Sequence, residues 1–101
     1  MPRPRGPRRI TCRPDCTYFK PAGIPLRDLE EVVLALEEVE ALRLADLEGR
    51  YQADAADSMG VSRSTFSRML DSARKKVSEA LLQGKAIRIE MADTPRTGPP
   101  E

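Results

Sequence analysis

The chain has 101 residues, of which 33% are charged and 40% hydrophobic, with a formal net charge of +1, and these values fit a single soluble domain with a small core. They exclude a membrane-spanning helix, because no apolar run approaches about 20 residues. The even balance is local cancellation: residues 1–20 hold six basic groups and one acid, residues 27–57 three basic groups and ten acids, and residues 58–101 eight basic groups and five acids. A ligand meets those local fields rather than their average.

The first nine residues, MPRPRGPRR, contain three prolines, one glycine and the arginines Arg3, Arg5, Arg8 and Arg9. They offer too little apolar surface to fold alone, which predicts a mobile basic arm over residues 1–9. No apolar stretch follows, so the segment is not a secretory signal. The arm reads either as a solubilising tail or as a segment that enters a minor groove or tracks phosphates. Ile10–Cys12 and Thr17–Phe19 each suit a short strand, with Pro14-Asp15 as the turn between them. Residues 21–25, PAGIP, form a stiff loop. Over Leu26 to Leu36 two readings stay open: Leu26, Leu29, Val32 and Val33 fit a helical face, whereas Val32 to Leu36 fits a buried strand.

A helix is predicted from Glu37 to Glu48. Glu37, Glu38 and Glu40 crowd its first turn, where the dipole favours acids on a solvated helix. Val39, Leu42 and Ala45 recur along one face, and Gly49 supplies the stop. A short helix over Gln52 to Met59 follows and ends at Gly60. A longer third helix begins with Ser62 as its N-cap and carries Phe66, Met69, Leu70, Ala73, Val77, Ala80 and Leu81 on its apolar face until Gln83-Gly84. Residues 85–91 alternate like a strand, suited to pair with Ile10–Cys12 or Val32–Leu36. Residues 92–101 read as a disordered tail. The organisation is thus one domain over 10–91 between a basic arm and a tail.

The second and third helices have the spacing of a helix-turn-helix, about residues 52–71. Counting from Gln52, Ala56 stands fifth, where two steeply crossing helices leave no room for a large side chain, and Gly60 stands ninth, where the turn wants positive φ. Ala55, Met59, Val61, Phe66 and Met69 fill the remaining apolar places of the unit. Outward, the third helix opens with Ser62, Arg63, Ser64, Thr65, Ser67 and Arg68 and has no acid before Asp71. Arginines there suit guanine O6 and N7 in the major groove, and hydroxyls suit phosphates or base edges. Arg74, Lys75 and Lys76 are consecutive, so they fan around the helix, and at least two are expected at the DNA backbone. On their own they would also serve as a plain solvated face.

The segments TYFKPAGIPLRDLEEVVL, EALRLADLEG, QADAADSMGVSRSTF, ARKKVSEAL and GKAIRI resemble the small prokaryotic family of predicted DNA-binding proteins known as domain of unknown function 134, over about residues 8–90. Its helix-turn-helix is in turn similar to region four of sigma factors, which binds the promoter −35 element. The resemblance implies a cytoplasmic DNA-binding protein. On the sigma-like alignment the DNA-facing positions fall on Arg63, Ser64, Thr65, Ser67 and Arg68. The polymerase-binding parts of a sigma factor are absent, so sigma activity does not follow.

Other chemistry is sparse. With no histidine anywhere, Cys12 and Cys16 offer two thiolates where tetrahedral zinc takes four. Two chains together would supply four, and a redox disulfide is a further option, but two small residues beside a strand explain them as simply. No cofactor is therefore assigned. There is no histidine for a triad and no glycine-rich phosphate loop, which argues against an enzyme. The sequence thus predicts a mainly α protein, a sigma-region-four-like helix-turn-helix with a few short strands, that binds double-stranded DNA specifically as a cytoplasmic transcription regulator. A homodimer is expected, because two half-sites multiply the specificity of one helix, with the strands and Leu26–Leu36 as its surface. Two alternatives stand beside this: a protein-interaction module docking on RNA polymerase or another regulator, and a regulator whose response to metal or redox state runs through Cys12 and Cys16.

Overall fold

The computed structural model describes residues 9–11 and 13–91. Arg3, Arg5, Arg8, Cys12 and the tail over 92–101 lie outside the described residues. Six elements follow in chain order: β1 (Tyr18–Phe19), β2 (Glu31–Ala35), α1 (Leu36–Leu42), α2 (Gln52–Met59), α3 (Arg63–Gln83) and β3 (Ala86–Glu90). The protein is mainly α, with one small sheet of order β1-β3-β2. β3 pairs antiparallel with β1 and parallel with β2, with Val33 opposite Arg88. A parallel pair needs a long crossover, and here the three helices provide it. Among the described residues, no helix is long and apolar enough to cross a membrane.

The sheet and helices close over two apolar clusters. One gathers Ala41, Leu44, Ala55, Ala56, Met59, Phe66, Met69 and Leu70 from the three helices. The other joins Leu34 and Ile89 of the sheet to Leu36 and Ala73. Ile10 and Leu42 pack against both, so the helix-turn-helix and the sheet share one interior. α3 belongs to both clusters and fixes the unit against the sheet.

Several expectations resolve differently. Ile10 and Thr11 form no strand: the Arg9 N–H donates to the Met59 carbonyl at 3.0 Å and the Thr11 N–H to Glu40 at 3.2 Å, so this segment binds helices rather than the sheet. Leu26–Leu36 is mixed, a 3₁₀ turn at Leu26–Asp28 followed by β2, which runs straight into α1. The helix expected over 37–48 starts at Leu36 and widens from Arg43 into a π-helical turn to Leu47, with Glu48 N–H donating to the Arg43 carbonyl at 2.9 Å. The buried apolar face is Leu36, Ala41 and Leu44, while Val39, Leu42 and Ala45 are half-buried.

The first-turn acids also need correction. Glu38 and Glu40 are only 6% and 2% exposed, not solvated, because each carboxylate is held by hydrogen bonds that replace water. Leu81, placed on the apolar face by its period, is 74% exposed. α3 outruns the core before its last turn ends.

Candidate nucleic-acid interface

The turn between α2 and α3 sets the site. Gly60 sits at φ +71 as the left-handed cap of α2. Its N–H donates to the Asp57 carbonyl at 3.1 Å, and that of Val61 to the Ala56 carbonyl at 3.0 Å, a paired closure that satisfies the last carbonyls of a helix. Ala55, Ala56, Met59, Phe66 and Met69 are buried beneath the turn, and Val61 packs on them. The backbone is thereby fixed where α3 begins.

Ser62 caps α3, its Oγ accepting the Thr65 N–H at 3.1 Å and donating to Thr65 Oγ1 at 3.0 Å, with Ser64 Oγ 3.3 Å away. Arg63, Ser64 and Arg68 are exposed; Thr65 and Ser67 are half-buried. At about 100° per residue, Arg63, Ser64, Ser67 and Arg68 span an arc of about 140°, set opposite Phe66 and Met69, both buried. Among the described residues Arg63 and Arg68 have no ion-pair partner, and the first turn holds no acid. The surface that results is cationic, rich in hydroxyls and held on a rigid helix. It has the geometry to offer forked donors to base edges and hydroxyls to phosphates.

The neighbouring cations divide. Arg74 grips Asp46 with Nη2 at 2.7 Å and Nε at 3.1 Å, and hydrogen bonding from Arg74 holds the Asp46 carboxyl below its ordinary range. Lys76 Nζ turns inward, 2.9 Å from both the Val33 carbonyl and Glu38. Lys75 is exposed and, among the described residues, without an ion-pair partner. The sequence expects at least two of the three at the DNA backbone; in the fold Arg74 and Lys75 are exposed, Arg74 paired with Asp46, while Lys76 is turned to Glu38. The period of the sequence reports the direction of a side chain but not the acid waiting on another helix.

Arg9 is the one arm arginine within the described residues, and it is not part of the outward face. Its guanidinium donates to the Asp57 carbonyl at 2.6 Å and the Ser58 carbonyl at 3.1 Å, the last turn of α2. Sequence reasoning missed this grip, which joins residues 48 positions apart and has no local signature. Cys16 is exposed, and among the described residues no three His, Cys, Asp or Glu side chains gather as a metal set. On the far side of α1, Val39, Leu42 and Leu47 line an open groove of about 620 Å³ with Arg13 and Pro14.

The profile of the family described as "Protein of unknown function DUF134" matches residues 1–96. The chain is similar to a "UPF0251 protein" of Desulforudis audaxviator, 63% identical over 90 residues that cover 89% of this chain and 59% of the relative. A second "UPF0251 protein", from Moorella thermoacetica, is also 63% identical over 90 residues, covering 89% of this chain and 60% of the relative. A third, of Caldanaerobacter subterraneus, is 58% identical over 90 residues, covering 89% and 76%. The chain thus spans about 60% of the length of the first two relatives. No solved structure matches it.

Proposed function

The chain belongs to the DUF134 family, and from that footing we propose that it binds duplex DNA specifically, laying the start of α3 in the major groove. The observation that carries this reading is the unneutralised face of Arg63, Ser64, Ser67 and Arg68, turned outward by buried Phe66, Met69 and Leu70. The exposed acids of the turn after α1 and of α2, Asp46, Asp54 and Asp57, belong away from the phosphates. The protein acts as a transcription regulator, with occlusion of a promoter as its simplest mechanism; sigma-like promoter contact fits the same helix. It works as a dimer, for which exposed Phe19, Leu26, Leu81 and Leu82 supply apolar surface. No catalytic step, metal or cofactor is required.

Fluorescence anisotropy on duplexes selected from a random pool, against unselected duplexes and across a salt series, tests the proposal. Binding is expected to fall linearly in a log–log plot, by about 0.9 per phosphate neutralised. Arg63→Ala should cost about 1–3 kcal/mol on selected duplexes and little on unselected ones. Lys75→Ala should weaken both alike and flatten the slope by about one. Binding that is absent, or insensitive to salt, would contradict the reading. A second reading, a module that docks on a protein of the transcription machinery, is favoured by the apolar groove at Val39, Leu42 and Leu47. It expects Leu47→Glu to abolish association with that protein while Arg63→Ala leaves it intact.

A further inference from the structure

We infer that Arg9 is a positioning residue for the reading helix: it closes the open end of α2, fixes the corner at Gly60, and so orients Arg63 on its base without contacting DNA itself. The inference rests on the proposed binding of duplex DNA. A helix leaves its last four carbonyls without partners inside the helix, and in α2 these belong to Ala56, Asp57, Ser58 and Met59. The turn closes the first two: Ala56 accepts the Val61 N–H at 3.0 Å and Asp57 the Gly60 N–H at 3.1 Å. Among the described residues, Arg9 alone closes the other two. Its backbone N–H donates to the Met59 carbonyl at 3.0 Å and its Nε to the Ser58 carbonyl at 3.1 Å, while Nη2 adds a bond to Asp57 at 2.6 Å. One residue thus grips three successive carbonyls, at the helix end where the dipole favours a cation.

The grip reaches the corner. A Cβ on Gly60 would meet Arg9 Nη1 at 3.1 Å and Cζ at 3.2 Å, so the guanidinium fills the space beside the residue that turns α2 into α3. Ile10, next in the chain, packs against both apolar clusters, which ties the clamp to the interior. α2 needs such help: it has eight residues and no side-chain cap at its start, and a helix that short is not stable alone. The two reading arginines differ in what holds them. Arg68 stands among buried Phe66, Met69 and Leu70 and keeps its place without the clamp. Arg63 comes before the first buried side chain of α3 and three residues after Gly60, so its placement depends on the corner. A forked base contact demands placement within about 0.5 Å and 10–20°, whereas phosphate contacts hold any sequence alike. Loosening the corner therefore costs selectivity before it costs binding.

A double-mutant cycle between Arg9 and Arg63 tests this, read by fluorescence anisotropy of the full chain on selected and unselected duplexes. Arg9→Ala is expected to weaken binding to the selected duplex about tenfold, to leave the unselected duplex little changed, and to keep the salt slope. In the Arg63→Ala background the same change should cost less than about twofold, because the contact it orients is already gone. Arg9→Lys keeps the charge and the backbone N–H but not the fork onto two carbonyls, and should lose selectivity as Arg9→Ala does. It also decides the matter if Arg9→Ala melts below the assay temperature. Losses that add in full in the double variant would mark Arg9 as independent of Arg63 and overturn the inference. A salt slope lowered by about 0.9 would make Arg9 a phosphate contact, and full selectivity in Arg9→Lys would make charge its whole role; either result overturns the inference while the DNA reading stands. No duplex binding by the unaltered chain overturns both.

Discussion

Glu38 joins three elements through one carboxylate. Oε1 accepts the Ala35 N–H at 2.8 Å and Lys76 Nζ at 2.9 Å, and Oε2 accepts the Ser72 hydroxyl at 2.5 Å. Burial raises its pKa, but the bonds from Ser72, Lys76 and Ala35 outweigh burial and hold it below the ordinary 4.5. A carboxyl whose folded pKa is depressed stabilises the fold above its unfolded pKa, and loses that contribution as pH falls through the folded value. Urea unfolding is therefore expected to show stability declining below about pH 4.5. Glu38→Gln should be about 1–3 kcal/mol less stable at pH 7 and should lose less than the unaltered chain on acidification. An identical acid slope in both would contradict this role. Asp46, Glu79 and Glu31 are also lowered, by hydrogen bonds from Arg74, Lys85 and Tyr18; Asp46 and Glu31 are exposed and Glu79 half-buried. Glu40 is similarly enclosed, by Thr11 and Arg43. In the sequence these glutamates read as dipole-favoured first-turn acids; the partners that bury them come from residue 11 and residues 72 and 76, at separations that local pattern does not register.

At the level of elements, α2, α3 and β3 were legible because each carries its own boundary signals. Ser62 caps α3, Gly60 and Gly84 end helices at φ +71 and +68, and alternation marks Ala86–Glu90. β2 was ambiguous because a five-residue apolar strand leading directly into a helix shows both periods at once. The strand expected at Ile10–Cys12 is absent at Ile10 and Thr11 for a different reason: the Thr11 N–H donates to Glu40, next to the Arg9 N–H on the Met59 carbonyl, and nothing in these residues distinguishes a sheet partner from a helix partner. The corner at Gly60 is the element-level feature most open to test. An alanine there would hold a left-handed backbone, at about 1–2 kcal/mol, and bring its Cβ against Arg9. Gly60→Ala is expected to lower the stability measured by denaturant unfolding by at least that amount. An unchanged midpoint would show that the corner is free to rearrange.

Across the whole molecule, charge is sorted by the fold more sharply than by the sequence. Asp46 pairs with Arg74, which stays exposed, and Glu38 draws Lys76 inward, leaving Arg63, Arg68 and Lys75 as the outward cations of α3 without an ion-pair partner among the described residues. The outward surface itself was readable from sequence, since the buried stripe of Phe66, Met69, Leu70 and Ala73 fixes which residues of α3 face away. Which basic residues stay unpaired was not, because pairing depends on how α3 lies across α1. The proposed function stands on whether that surface is what meets DNA. The most direct measurement is a ¹⁵N–¹H titration of the labelled full chain with a selected duplex. Groove entry by α3 predicts the largest amide shifts at Ser62 to Arg68, with Lys75 following and α1 nearly silent. Shifts concentrated at Val39 to Leu47, with Ser62 to Arg68 unmoved, would contradict it.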